Sequence, residues 1–332
     1  MGYTIERLTE AELPAFRDFC AVNWGERHPL IHDAAMFDYY FRRGGQINFL
    51  RAADDTGGIL SVAGFLCANS LPQPDVWLSY ILTKKGAPLN LGFHMLETLR
   101  AVTDCRSFGV NNIRPKTRGL YEFLGYRTGR MEHWYRLNPE KTAYALCRAP
   151  HREIPAVRAD GVTLTRLDKR GLDDFAFEDY AELRPYKDRG YVERRFFDNP
   201  WIRYDVCAAA ADGGIFALAV FRELESGGHR VLRLVDFIGA REDLGRLGGA
   251  VDRRMRERCA DFADVYAYGL NPAIPAAAGF VLRAENDENI IPDYLTPPLF
   301  ENVDFWAVGE SAQDYVLFRA DGDQDRPNLT DF

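Results

Sequence analysis

One stretch has the residue types and order of an anion site. An apolar run, Trp77-Leu-Ser-Tyr-Ile-Leu-Thr83, leads into the loop Lys84-Lys85-Gly86-Ala-Pro-Leu-Asn90, and Leu91-Gly92 then opens an amphipathic segment. Leu91, Met95 and Leu99 recur every fourth residue, which gives a helix one apolar face. The first amides of a helix have no partner inside it, and that end carries partial positive charge. Lys84, Lys85, Gly86, Asn90, Leu91 and Gly92 therefore read as a place for phosphate groups. A second candidate is Asp236, set among apolar neighbours in Arg233-Leu-Val-Asp-Phe-Ile238. Such surroundings make a carboxylate harder to ionise, so that it can take a proton near neutrality. The competing reading is a structural salt bridge to Arg233 or another Arg.

Other constellations are weaker. His28 and His32 stand four apart, but Pro29 disturbs a helix there and no carboxylate or Cys cluster joins them, so no metal is expected. Asp321, Asp323 and Asp325 have the spacing of a calcium loop without its final Glu or flanking helices. Arg326 is placed to pin that tail by an internal pair, and the segment 321–328 has no other assigned role. The loop Pro185-Tyr186-Lys187-Asp188-Arg-Gly-Tyr191 is dense in hydrogen-bonding groups, so Tyr186, Lys187, Asp188 and Tyr191 are candidate substrate contacts. No nucleophile elbow, Walker loop, His-Glu-x-x-His or dinucleotide fingerprint occurs.

The elements that must position these residues occur twice. Pro29 and Pro185, Gly57-Gly58 and Gly213-Gly214, and Leu91-Gly92 and Leu247-Gly248 are each 156 positions apart. Tyr80 falls on Asp236 at the same offset, in the central strand of each copy, with Asp75 beside the first. Phe108-Gly-Val-Asn111 parallels Tyr268-Gly-Leu-Asn271. The second copy lacks most of the segment matching Gly119 to Phe123. A repeat this long is a duplicated domain, since solenoid units run to roughly 20–50 residues. The expected division is 1–145, a polar linker at 146–160 carrying Pro150 and Pro155, and 161–332. Within each copy the order reads strand, helices, hairpin, strand, loop, helix, strand. Leu172 to Tyr180 is expected to be helical. Arg253, Arg254, Arg256 and Arg258 are expected on a solvated face.

The order of elements and Gly119-Leu-Tyr-Glu-Phe-Leu-Gly-Tyr126 resemble the GNAT N-acyltransferase superfamily, over nearly the whole chain. The resemblance implies two tandem α/β (mixed-sheet) acyltransferase domains. It implies acetyl-CoA or another acyl-CoA as co-substrate, its pyrophosphate on the 84–92 loop. Of the family's loop pattern only Gly92 fits here, and Gly245, Gly248 and Gly249 of the second copy are misspaced. The resemblance also implies that Tyr121 protonates the leaving thiolate, that a strand carboxylate such as Asp236 takes the amine proton, and that His28 and Tyr80 line the acceptor pocket. The acceptor would be a small-molecule amine, with a nucleotide-linked amino sugar of a surface-polysaccharide pathway as one suggestion. The alternatives are a catalytically inactive tandem binding protein and an aminoacyl-tRNA-dependent enzyme of cell-wall precursors.

Bulk properties bound these readings. The 332 residues suit two domains. A net charge of −8 and a pI near 5.4 speak against a nucleic-acid-binding face. Neither a secretory signal nor an apolar run of membrane-spanning length is read in the sequence. Six scattered cysteines without Cys-x-x-Cys fit reduced thiols, and the expected location is the cytoplasm.

Overall fold

The computed structural model describes residues 2–24, 28–157, 161–285, 287–311 and 314–327. Residues 158–160 of the expected linker and 328 of the tail lie outside them. The first series runs β1 (Tyr3–Arg7), α1 (Leu13–Trp24), α2 (Pro29–His32), α3 (Ala34–Phe41), a short ladder of β2 (Arg42–Arg43) and β3 (Gln46–Ile47), β4 (Phe49–Asp54), β5 (Ile59–Cys67), β6 (Asp75–Thr83), α4 (Leu91–Thr103), β7 (Ser107–Ile113), α5 (Arg118–Phe123), β8 (Arg127–Arg130) and β9 (Glu132–Leu137). The second runs β10 (Thr163–Arg166), α6 (Arg189–Val192), β11 (Asp205–Ala211), β12 (Gly214–Ser226), β13 (His229–Gly239), α7 (Gly248–Arg258), β14 (Ala260–Tyr268), α8 (Ala273–Ala277), β15 (Val281–Leu282), β16 (Trp306–Gly309) and β17 (Leu317–Phe318).

The local chemistry explains most of these. Glu12 accepts the Thr9 amide at 2.9 Å, closing the entry to α1 as the capping-box pattern requires. Leu13, Phe16, Phe19 and Cys20 are buried on one face of that helix. Leu91, Met95 and Leu99 do the same for α4. Two expectations fail. Residues 172–180 form two 3-10 turns, Arg170–Asp174 and Phe177–Tyr180, instead of a helix. Leu172, Phe175 and Phe177 are all buried, and that spacing does not bring them to one side of a helix. Arg254 is not on a solvated face. It is buried and paired with Asp205, because it lies three residues after buried Val251, beside the apolar stripe.

The duplication extends to irregularities. In the first sheet Gly64 pairs with Tyr80 but Phe65 with Leu78, so Ser79 is bulged. In the second, Val220 pairs with Asp236 and Phe221 with Leu234, so Val235 is bulged, 156 positions later. Both long helices end on a left-handed residue, Asp104 at φ 45° and Cys259 at φ 52°.

The first sheet has the order β1-β4-β5-β6-β7-β16-β8, and the second β10-β11-β12-β13-β14-β9-β15, with β17 also on β14. The copies thus exchange strands. β9 of the first series lies between β14 and β15, and β16 of the second lies between β7 and β8. The division expected at 146–160 separates the two series of elements but not the two sheets.

In both sheets the central parallel pair parts company. β6 and β7 pair from Asp75↔Ser107 to Leu78↔Val110 and then splay. β13 and β14 pair from Arg230↔Ala260 to Leu234↔Val265 and then splay. In the second sheet the gap is filled. β17 pairs with Ala267 and Tyr268 of β14, and the Ala320 amide donates to the carbonyl of bulged Val235 at 2.9 Å.

Candidate functional site

In the first sheet the equivalent gap opens into a cleft of about 530 Å³. Leu78, Ser79 and Tyr80 form one wall and Val110 to Ile113 the other, with Tyr121 of α5 below them. Trp24 and His28 close the side formed by the first helices. The tail arrives from the other copy and contributes Asp323, Gln324 and Arg326. Asn111 steers it there: its side-chain amide donates to the carbonyls of Phe318 and Asp321, both at 3.1 Å.

Some cleft groups lack a hydrogen-bond partner among the described residues. The Ser79 hydroxyl and Nδ1 of His28 are buried without a hydrogen bond. Such groups cost free energy unless something fills the cleft and bonds to them. Burial pushes the His28 imidazole down to about 4, and Arg326 adds to this, so the ring is neutral at pH 7. Burial also pushes the Tyr121 hydroxyl well above its usual range, with Tyr126 adding to the effect. Tyr121 therefore keeps its proton and presents a hydroxyl donor to the cleft. Trp24 stacks on His28 at 4.8 Å and meets Tyr80 at 4.6 Å, making an aromatic wall.

The Lys84–Gly92 loop follows the splayed end of β6, beyond Leu82. Gly86 takes φ 86°, a turn that favours glycine. The first i→i−4 bond of α4 is His94 N–H to the Asn90 carbonyl, 3.1 Å, which leaves the Gly92 and Phe93 amides ahead of the ladder. Nothing lies within 4 Å of a Cβ built on Gly92, so this helix start is open. The matching start in the second copy is closed. A Cβ on Gly248 would stand 2.6 Å from the Ala278 carbonyl and 2.7 Å from Val157. The loop before it is coiled into a 3-10 turn, Arg241–Arg246.

The remaining candidates have other tasks. Asp236 is fully buried, does not line the cleft, and is paired with Lys187 rather than with Arg233. Arg233 instead binds Asp264 at 2.8 Å and Asp293 at 2.9 Å. Lys187 also meets Asp321 at 2.6 Å, so the 186–191 loop holds the tail down and does not reach the cleft. Asp188 accepts the Ser70 amide at 2.7 Å and caps α6 through the Tyr191 amide. The Tyr186 amide donates to Asp75 at 2.9 Å. Asp75 is itself fully buried and holds Arg106 at 2.7 Å and Asn69 at 2.7 Å. These residues join the two copies. His28, Tyr80 and Tyr121 are brought together, Asp236 and the 186–191 loop are not, Trp24 and Ser79 join unannounced, and Asp323 joins with Arg326, which pairs with it inside the tail as expected. The tail has no counterpart in the first copy, so the repeat carried no signal for it. Among the described residues no group of three or more His, Cys, Asp or Glu is arranged to hold a metal. No described helix is long and apolar enough to cross a membrane.

No family model and no curated protein sequence matches the chain. Solved structures do. A GCN5-related N-acetyltransferase from Anabaena variabilis superposes with a TM-score of 0.58 at 9% identity, over 92% of this chain and 72% of that one. A conserved Enterococcus faecalis protein of unknown function superposes with a TM-score of 0.51 at 10% identity, over 93% and 72%. With its two splayed sheets and their shared bulges, the chain has the fold of the GCN5-related N-acetyltransferases, built twice in tandem.

Proposed function

We propose that the protein is an acyl-CoA-dependent N-acyltransferase working in the cleft of the first copy. One observation carries this reading: of two equivalent strand gaps, the first is open and leads to an open helix start, while the second is filled by its own chain. Acyl-CoA supplies the activated thioester. The Gly92 and Phe93 amides, with Lys84 and Lys85 beside them, hold its phosphates. The unpartnered Ser79 hydroxyl, at the bulge, bonds the chain that lies between the strands. Tyr121 donates its proton to sulfur as the C–S bond breaks and is reprotonated from the water that takes up the amine's proton. Neutral His28, whose Nε2 faces the Arg326 guanidinium at 3.5 Å, carries its proton on Nδ1 and donates a hydrogen bond from it to an oxygen of the acceptor without repelling an ammonium, Asp323 orients that charge, and the amine's proton leaves to water in the cleft. The aromatic wall of Trp24, His28 and Tyr80 favours an acceptor with a flat apolar face, and an amino sugar, free or nucleotide-linked, is the class we favour.

Calorimetry with acetyl-CoA should give one site per chain. A panel of small amines, amino sugars included, should release free thiol. Tyr121→Phe should cut that release by roughly a hundredfold or more while leaving acetyl-CoA affinity nearly unchanged. Two sites per chain, or full turnover in Tyr121→Phe, would overturn the assignment. Absence of acetyl-CoA binding would point to the inactive binding module instead.

A further inference from the structure

A second cavity lies on the seam between the copies, away from the acyl-transfer cleft. Its volume is about 40 Å³. The first copy lines it with Tyr39, Tyr40 and Arg43, the second with Tyr191, Arg194 and Arg195, and the tail touches it at Gly322. Three arginines therefore meet there, and no carboxylate among the described residues lines the cavity.

The three are not equally provided for. Arg195 is buried and spends its donors on the Ala320 carbonyl at 3.1 Å, the Asp325 carbonyl at 3.2 Å and the Tyr40 hydroxyl at 3.4 Å. Asp325, whose charge is the nearest to offset it, is already held by Arg222 at 2.6 Å and by the Tyr204 hydroxyl at 2.8 Å. Arg43 donates to the Cys67 carbonyl at 2.9 Å and, among the described residues, forms no ion pair. Arg194 lies 5.4 Å over the Tyr39 ring and likewise pairs with no described carboxylate. Burial lowers the affinity of Arg194 for its proton, and the nearby charge of Arg43 lowers it further. Two half-buried cations facing one space without an anion is an unfavourable arrangement. A separate observation points the same way. Tyr191 is only 7% exposed, and its hydroxyl is buried without a hydrogen-bond partner among the described residues.

We propose that this seam cavity is a binding site for a small oxyanion, a carboxylate or phosphate group held by Arg43 and Arg194 with the Tyr191 hydroxyl as a third donor. Guanidinium groups match the geometry of either anion. Size limits the ligand. A cavity needs about 10–15 Å³ in this measure for one water, so this one takes a few waters or a single anionic group, not a whole cofactor. An anion there bridges both copies and the tail at Gly322. The same tail supplies Asp323 and Arg326 to the acyl-transfer cleft, so occupancy stiffens the acceptor side.

The test is calorimetric titration of the full chain with inorganic phosphate and, separately, acetate, checked by thermal melting in each salt. Phosphate has a second possible home at the α4 start, so Lys85→Met serves as the control. The expected result is one saturable site that Arg194→Met weakens at least tenfold, Tyr191→Phe weakens severalfold and Lys85→Met leaves intact. Without added anion, Arg194→Met should melt no lower than wild type. If Arg194→Met does not fold, Tyr191→Phe, which removes only the hydroxyl, decides the matter. Relative affinity for acetate and phosphate says which anion the site takes. Binding lost only in Lys85→Met, binding equal in wild type and Tyr191→Phe, or no binding of either salt at tens of millimolar would overturn the proposal.

Discussion

Asp236 and Asp321 share one ammonium, that of Lys187, in a fully buried setting with Arg241 nearby. Two carboxylates on one lysine leave a charge poorly compensated. Burial raises Asp321 to about 6, against the pull of Lys187 and with Asp236 adding to the rise. The sign follows directly. A carboxyl group whose folded value exceeds its unfolded value near 3.8 helps folding fully below that value, and this help is lost as pH rises through about 6. Asp321→Asn should therefore gain stability relative to wild type as pH rises from about 3.8 to about 6 and hold that gain above it, by ~3 kcal/mol at most, because Asp236 remains to balance Lys187. Thermal melts of both proteins across that range check it. A stability difference that does not change with pH would mean that Asp321 stays ionised throughout. The arrangement also gives Asp236 a structural partner: it is held by Lys187 and does not line the cleft.

At the scale of elements, α4 and α7 are the same helix in two settings. Each begins at a Leu-Gly pair, Leu91-Gly92 or Leu247-Gly248, and each presents a Leu–Met stripe to its sheet. Their glycines serve opposite ends. Gly248 exists because α8 and the linker press on it, whereas Gly92 faces open space. Gly248→Ala should cost about 1–3 kcal/mol, since the Ala278 carbonyl and Val157 must move. Gly92→Ala should leave the ligand-free protein as stable or up to about 1 kcal/mol more so, as alanine favours helix, yet weaken acetyl-CoA binding by crowding the phosphates. Denaturant melts and calorimetry on the two variants provide the comparison. Equal destabilisation by both would contradict the difference between the two helix starts. The 3-10 turn Arg241–Arg246 makes the same point, coiling the very loop that in the first copy stays open.

At the scale of the molecule, the copies cannot be independent. The first sheet needs β16 between β7 and β8, and the second needs β9 beside β14. Removing either strand exposes unpaired edges and the apolar faces of neighbours. Residues 1–145 and 161–332 expressed separately should each fail to give a cooperative melt, while the intact chain should melt in one transition. Circular dichroism of the fragments, alone and mixed, tests this. A fragment that melts cooperatively by itself would show that strand exchange is dispensable. Asp75, Lys187 and the tail reinforce the joint, and the seam cavity lies along it.

The sequence by itself determined the duplication, the helix stripes, the hairpins and the presence of a loop at Lys84–Gly92. These rest on alternation, fourth-residue spacing and glycine at turns, all properties of neighbours along the chain. The family resemblance singled out Tyr121, Tyr80 and His28, which meet in one cleft because each belongs to the first copy's own fold. Only the tertiary structure decided which gap stays open, and it did so through β17, a two-residue strand about seventy positions along the chain from the nearer helix start. It alone decided the part played by Asp236. An aspartate flanked by apolar residues reads identically whether it awaits a substrate or is held by Lys187 49 positions away. Strand exchange was invisible for the same reason: β9 and β16 have ordinary strand patterns, and the identity of the sheet that receives a strand depends on contacts over more than a hundred residues, which leave no local mark.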